Sequence, residues 1–125
     1  MHHTPDAYQD IRDAVRALCA EFPDEYHRKI DEQRAYPEAF VDALTKAGWM
    51  AALIPQAYGG SGLSMAEASV IMEEINRSGG NSGACHGQMY VMNAIVRSGS
   101  DAQKDRYLPR IAAGELRIQA MGVTE

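Results

Sequence analysis

The side chains whose types and spacing could do chemistry cluster in one place. Cys85, His86, Gln88 and Asn93 interrupt residues 84–96, which are otherwise apolar almost all the way round a helical wheel. A helix apolar on every side is normally covered on every side, so His86, Gln88 and Asn93 each need a partner or a cavity. An unpaired buried polar group costs about 1–3 kcal/mol. The plainer reading of His86 is a core histidine with its hydrogen bonds satisfied; the sharper one is a polar group at the end of a pocket. The carboxylates Glu73 and Glu74 form a second candidate, whose plainer reading is exposed helix charges or an ion pair at a helix end. Cys19 and Cys85 match no metal-ligand spacing and predict two small apolar residues in a reduced, cytoplasmic protein. His27 sits among charges and reads as a surface histidine.

Positioning these residues requires a packed scaffold, and the composition supplies one. The chain has 125 residues, 46% hydrophobic and 23% charged, which suits one globular domain and argues against disorder. The formal net charge is −5, and no basic run exceeds Arg28-Lys29, so no phosphate-tracking surface is expected and nucleic acid is not an expected partner. At about 1.5 Å per residue, residues 84–96 would span roughly 20 Å, short of the ~30 Å core of a bilayer. They are expected to form the central helix of a helical domain, with no membrane insertion. The N-terminus shows no basic region followed by an apolar run, so no secretory signal is expected.

The flanking elements follow from local signals. Thr4-Pro5 is a helix start, after which Tyr8, Ile11, Val15, Leu18 and Phe22 recur at spacings of three and four until Pro23. Residues 24–35 are heavily charged and read as a solvated turn or short irregular helix. Helix restarts at Tyr36-Pro37-Glu38, with Phe40, Val41, Leu44 and Ala47 on its apolar face and Gly48 as a left-handed cap. Residues 49–55 read as a buried connection with an extended or single-turn segment, and residues 58–62 as a flexible turn whose three glycines permit positive φ. Ser64 and Glu67 form a capping box before Ala68, Ile71, Met72 and Ile75, and Ser100 and Gln103 form a second. Asn81 or Ser82 caps the central helix. Tyr107, Leu108 and Ile111 face inward in the last helix, which Pro109 should kink or shorten. Residues 116–123 alternate with period two, as a strand does.

The expected fold is therefore all-α: an orthogonal bundle of about five helices over residues 1–115, followed by residues 116–125 as the first strand of a separate β-domain. A lone strand has no partner in a helical chain, so the sequence reads as the front of something longer.

Tyr36-Pro37, Gly48, Pro55, Tyr58-Gly59-Gly60-Ser61-Gly62 and Glu73-Glu74 occur in order along the chain. Gly99-Ser100-Asp101-Ala102-Gln103-Lys104, Tyr107-Leu108-Pro109, Gly114-Glu115 and Met121-Gly122-Val123-Thr124-Glu125 follow in register. The ordered set resembles the N-terminal domain of the acyl-CoA dehydrogenases. That resemblance implies an FAD-dependent oxidoreductase performing α,β-dehydrogenation of an acyl-CoA thioester, with electrons passing to an electron-transfer flavoprotein. It implies a homo-oligomer, dimer or tetramer, and it places the catalytic base in a later domain, so no catalytic residue is assigned here and neither Glu73, Glu74 nor Glu125 is promoted to that role. No metal site is implied.

The resemblance also implies two sets of contacts. Met121, Val123 and Thr124 match the stretch that runs past the flavin ring, where a backbone amide and the threonine hydroxyl bond its pyrimidine side and stabilise negative charge on the reduced form. Met121 stands where an aromatic residue is common, and the plainer reading of Val123 and Thr124 is ordinary strand residues. His86, Met89 and Tyr90 match the helix that borders the distal end of the acyl chain, where a polar group would select a short or functionalised acyl group. Two other readings stay open: an acyl-CoA oxidase or flavin monooxygenase of the same fold, and a non-enzymatic helical interaction module.

Overall fold

In a computed structural model, which describes residues 7–120 and 122, the chain is a helical bundle. Its helices are α1 (Gln9–Cys19), α2 (Asp24–Glu32), α3 (Glu38–Lys46), α4 (Met65–Arg77), α5 (Ser82–His86), α6 (Asn93–Ser98) and α7 (Asp101–Ala112). A π-helix, Gly87–Val91, joins α5 to α6, so the expected central helix exists but carries a wider turn in its middle. Single 3₁₀ turns occupy Trp49–Ala51 and Gln56–Tyr58. Helices outnumber the expected five because residues 24–32 close into a regular helix and because the central helix is divided.

Local chemistry explains the boundaries. Both capping boxes form, with Ser64 Oγ accepting from the Glu67 amide and Ser100 Oγ accepting from the Gln103 amide. Asn81 caps α5 by accepting from the Gly83 amide at 3.0 Å. Gly48 ends α3 at φ 88°, the left-handed conformation its position demanded. The start signal at Thr4-Pro5 lies outside the described residues. Pro109 does not end α7, which continues to Ala112; the proline is on the exposed face while Leu108 and Ile111 are buried.

The connection after α3 lies at the middle of the bundle. Met50, Ala51, Ala52, Leu53 and Ile54 are all buried, and the turn they begin touches α3, α7 and the π-helix. Burying non-helical backbone requires partners for its carbonyls. The following loop supplies them: Ser61 donates to Ala51 O at 3.1 Å, Leu63 to Ala52 O at 2.7 Å and Gly62 to Ile54 O at 2.9 Å. The glycine turn is thus bonded down rather than loose. Gly59 and Gly62 have positive φ, whereas Gly60 is needed for space, since a Cβ there would stand 2.1 Å from Ile54 O.

Helix α2 is attached by an aromatic cluster. Phe22 lies edge-on to Tyr26 and Phe40 at 5.1 and 5.2 Å, and His27 lies edge-on to Phe40 at 5.1 Å. His27 is therefore not a plain surface residue: it is half-buried, and its Nε2 is covered and has no hydrogen-bond partner among the described residues.

Helices α1 and α4 pack together, and a carboxylate ties them. Glu74 is 1% exposed; its two oxygens accept from Arg16 Nε at 2.7 Å and Arg16 Nη2 at 2.9 Å, and Oε1 also accepts from Arg12 at 3.0 Å. The reading of Glu74 as an exposed or helix-end charge is corrected: position 74 sits on the α4 face that meets α1, beside Val70, Ile71 and Ile75. Glu73, one position round, is solvent-facing and reaches Arg12 at 3.1 Å.

The terminal strand is not seen. Among the described residues none is in a strand, and no backbone amide of residues 117–120 donates to a backbone carbonyl. Alternation prescribes a two-sided segment, but only a bonded neighbour makes it a strand. The two sides are present: Leu116 and Ile118 pack against the core while Arg117 and Gln119 make polar contacts. Residues 121 and 123–125 lie outside the described set.

Two outcomes follow. Gly60→Ala should lower stability by about 3 kcal/mol, because the clash is with backbone that cannot rotate away, read as a drop in urea midpoint. The Arg16 hydrogen bond above all, opposed by burial and helped by Arg12, holds the Glu74 carboxyl below its usual range. Its folded-state pKa is then lower than its unfolded one, so its contribution is complete above about pH 4.3 and is lost as pH falls through the folded value. Thermal melts of Glu74→Gln should show a shallower loss of Tm below about pH 4.3 than the wild type; an identical acid profile would exclude this role.

Candidate functional site

The candidate residues stand on a turn that departs from α-helical geometry. Within 82–98 the π-helix inserts extra backbone between His86 and Met92, and such bulges are common where side chains must be re-aimed. Covering is one-sided. Ala84, Cys85, Gln88, Met89 and Met92 are buried, whereas Tyr90, Val91, Ile95 and Val96 are half-buried and His86 and Ala94 are exposed. The expectation of a helix enclosed on all sides is corrected accordingly: among the described residues only one side has neighbours.

His86 and Tyr90 are brought together, with ring centroids 5.0 Å apart and planes tilted by 55°. They form one wall of an open groove of about 430 Å³, whose other wall is the α4 residues Ser69, Met72, Glu73 and Asn76. The Tyr90 hydroxyl and Ser69 Oγ are 3.4 Å apart across it. The groove is polar apart from Met72 and the ring faces, and Ser82 closes one end. His86 is thus neither a core histidine nor enclosed. Met89 is separated from both and is 0% exposed in the core.

The third polar interruption, Gln88, is 1% exposed. Its Nε2 makes only a long 3.5 Å bond to Met50 O, and its Oε1 has no partner among the described residues. Spacing alone offered no means of separating Gln88 from His86; the π turn does so by sending one inward and the other outward.

Thiol chemistry finds no support. Burial pushes the Cys85 thiol up to about 12, with Cys19 adding, and burial also raises Cys19. Both stay protonated near neutral pH and are poor nucleophiles. Nor do three or more His, Cys, Asp or Glu side chains converge on a metal-sized site among the described residues.

The residues assigned to flavin contact, Met121, Val123 and Thr124, lie outside the described set. The segment leading to them crosses the π-helix, where a Cβ on Gly87 would come within 3.2 Å of the Gln119 backbone. Gly122 is exposed, with no heavy atom within 4 Å of its Cβ position.

Because Gln88 leaves an acceptor unpaired, an apolar residue of the same shape is cheaper to bury. Gln88→Met should raise Tm by a few degrees in calorimetry, about 3–6 °C per kcal/mol at this size; a lower Tm would mean that Oε1 has a partner in solution.

Comparison with known proteins gives this geometry its context. Residues 5–115 match the family described as acyl-CoA dehydrogenase, N-terminal domain. Mitochondrial isovaleryl-CoA dehydrogenase of Pongo abelii is 32% identical over 121 residues, covering 94% of this chain and 28% of that protein. An acyl-CoA dehydrogenase of Mycobacterium tuberculosis is 34% identical over 123 residues, covering 94% of this chain and 30% of that protein. The chain thus spans under a third of the length of these relatives. A solved structure of the electron transferring flavoprotein of Acidaminococcus fermentans superposes with a TM-score of 0.74 at 23% identity, covering 91% of this chain and 31% of that one, a likeness of fold. With the family matched over nearly all of its helical part, this chain belongs to the acyl-CoA dehydrogenase family, through its N-terminal domain.

Proposed function

We propose that this chain is the N-terminal part of an FAD-dependent acyl-CoA dehydrogenase and that the His86–Tyr90 groove receives the distal end of the acyl group. The observation that carries the reading is the pairing of His86 with Tyr90 on an otherwise apolar helix, at the place the family resemblance assigns to the acyl chain. A purely structural helix of this composition would turn its polar groups toward partners; here the imidazole faces an open groove.

The chain's own residues would bind and orient. Tyr90 and His86 offer donors and acceptors to a polar acyl terminus, with Ser69, Asn76 and Ser82 within the same groove. Met72 supplies a flexible apolar patch beside them. This lining supports a short or functionalised acyl group over a long aliphatic one. Met89, buried behind, would shape the wall rather than touch the ligand. Glu74 and Glu73 are engaged by arginines, so the base that removes the α-proton is proposed to lie outside this chain.

FAD, when bound, supplies the hydride acceptor. Met121, Val123 and Thr124 are the residues proposed to meet it; the open surroundings of Gly122 among them suit a backbone that a flat ring can approach. Electron-transfer flavoprotein as acceptor, a dimeric or tetrameric assembly and a cytoplasmic location complete the reading; the two free thiols suit a reducing compartment.

Anaerobic absorption spectra of the complete protein, before and after a panel of acyl-CoAs, test it. A flavin spectrum bleached by one of them is the expected result; bound flavin that none bleaches, or no flavin, would sink the proposal. His86→Ala should change the ratio of kcat/KM between a polar-ended and a plain acyl-CoA of equal length by up to about tenfold, the scale of one hydrogen bond. An unchanged ratio removes His86 from the acyl site.

A further inference from the structure

The segment 117–120 has no main-chain ladder to place it: its backbone amides donate to no backbone carbonyl among the described residues, and the last such bond runs from Leu116 N to Arg110 O at 3.2 Å. Its position therefore rests on side chains. Arg117 sends one guanidinium nitrogen to Glu38 at 3.1 Å and another to Asp42 at 2.5 Å, while its Cζ lies 5.5 Å from the centre of the Tyr36 ring. Glu38 and Asp42 are four residues apart on α3, so they share one face and lie a turn apart. The planar fork of arginine spans that gap, which the single point charge of lysine does not. Gln119 adds a second tie by donating to the Tyr36 hydroxyl at 2.5 Å. Arg117 is mostly covered, with its side chain 22% exposed, although both carboxylates face solvent.

We propose that Arg117 is a positioning residue: clamped on Glu38, Asp42 and Tyr36, it fixes the direction in which the chain leaves α3 toward residues 121–124, and so sets where that segment meets the flavin. The proposal rests on the flavin reading given above. At up to about 3.3 Å per residue, a free run from Leu116 to Ala120 sweeps a radius of more than 10 Å, far beyond the tolerance of a hydrogen bond to a ring edge. The clamp removes that freedom before any cofactor arrives. Ion pairs this open weaken as salt rises, so the ordering it provides is itself salt-dependent.

Two readouts test the clamp. In the 125-residue chain without flavin, backbone ¹⁵N order parameters of residues 117–120 should fall from rigid values near 0.85 toward 0.6 or below in Arg117→Gln, with Arg117→Lys intermediate and Asp42→Asn resembling Arg117→Gln. In the complete protein, Arg117→Gln should raise the FAD dissociation constant about tenfold. Falling order parameters together with weaker FAD binding support the proposal. Unchanged order parameters overturn it, as does a fall in order with FAD affinity unaltered. A wild-type protein that holds no FAD overturns the flavin reading instead, and the two failures are distinguishable because the order parameters are read without cofactor.

Discussion

The constraint on which the structure depends is the burial of irregular backbone between α3 and α4. Met50 to Ile54 run through the interior without helical hydrogen bonds of their own beyond single turns, and their carbonyls are answered from outside by Ser61, Gly62 and Leu63. That exchange forces the chain to double back within a few residues. It is the reason for the glycine at position 60, and it creates the surface on which α3, α7 and the π-helix converge. Helices give the domain its bulk, but this non-helical strand of chain gives it a centre.

Around that centre the two long-range ties are ionic and differ in kind. Glu74 is sealed between α1 and α4, where removing it would leave two guanidinium groups facing a vacated space. Charge burial of that sort contributes through specificity of packing as much as through net stability. The Arg117 clamp is open to water, weaker, and placed where the chain leaves the bundle. One holds the fold and the other directs its exit.

Much of this was legible in the residues. The capping boxes at Ser64 and Ser100, the left-handed Gly48 and the apolar faces of α3 and α4 were all local, and local signals are those a sequence writes plainly. The acyl-CoA dehydrogenase resemblance was legible for another reason: an ordered series of short motifs is more specific than any one of them. What escaped was non-local. Glu74 looked like its neighbour Glu73 because only the arrival of α1 distinguishes them. His27 looked exposed because its covering comes from Phe40, which lies in another helix. The π-helix left no signal in an apolar run, where α and π turns satisfy the same composition. The strand expected over 116–123 followed from alternation, and the described part of it is two-sided without being paired.

The π-helix between α5 and α6 also bears on how this domain can change. A π turn amounts to one residue more than an α-helix needs for the same rise, and each residue of a helix turns its successors by about 100°. Removing any one residue from 87–91 would restore regular helix while swinging α6 round relative to α5. Ile95 and Val96, now partly covered against the core, would turn away, and the contact between α6 and α7 would have to be remade. The segment can therefore exchange side chains freely at its outward positions, yet its length is fixed by the phase of the helix that follows it.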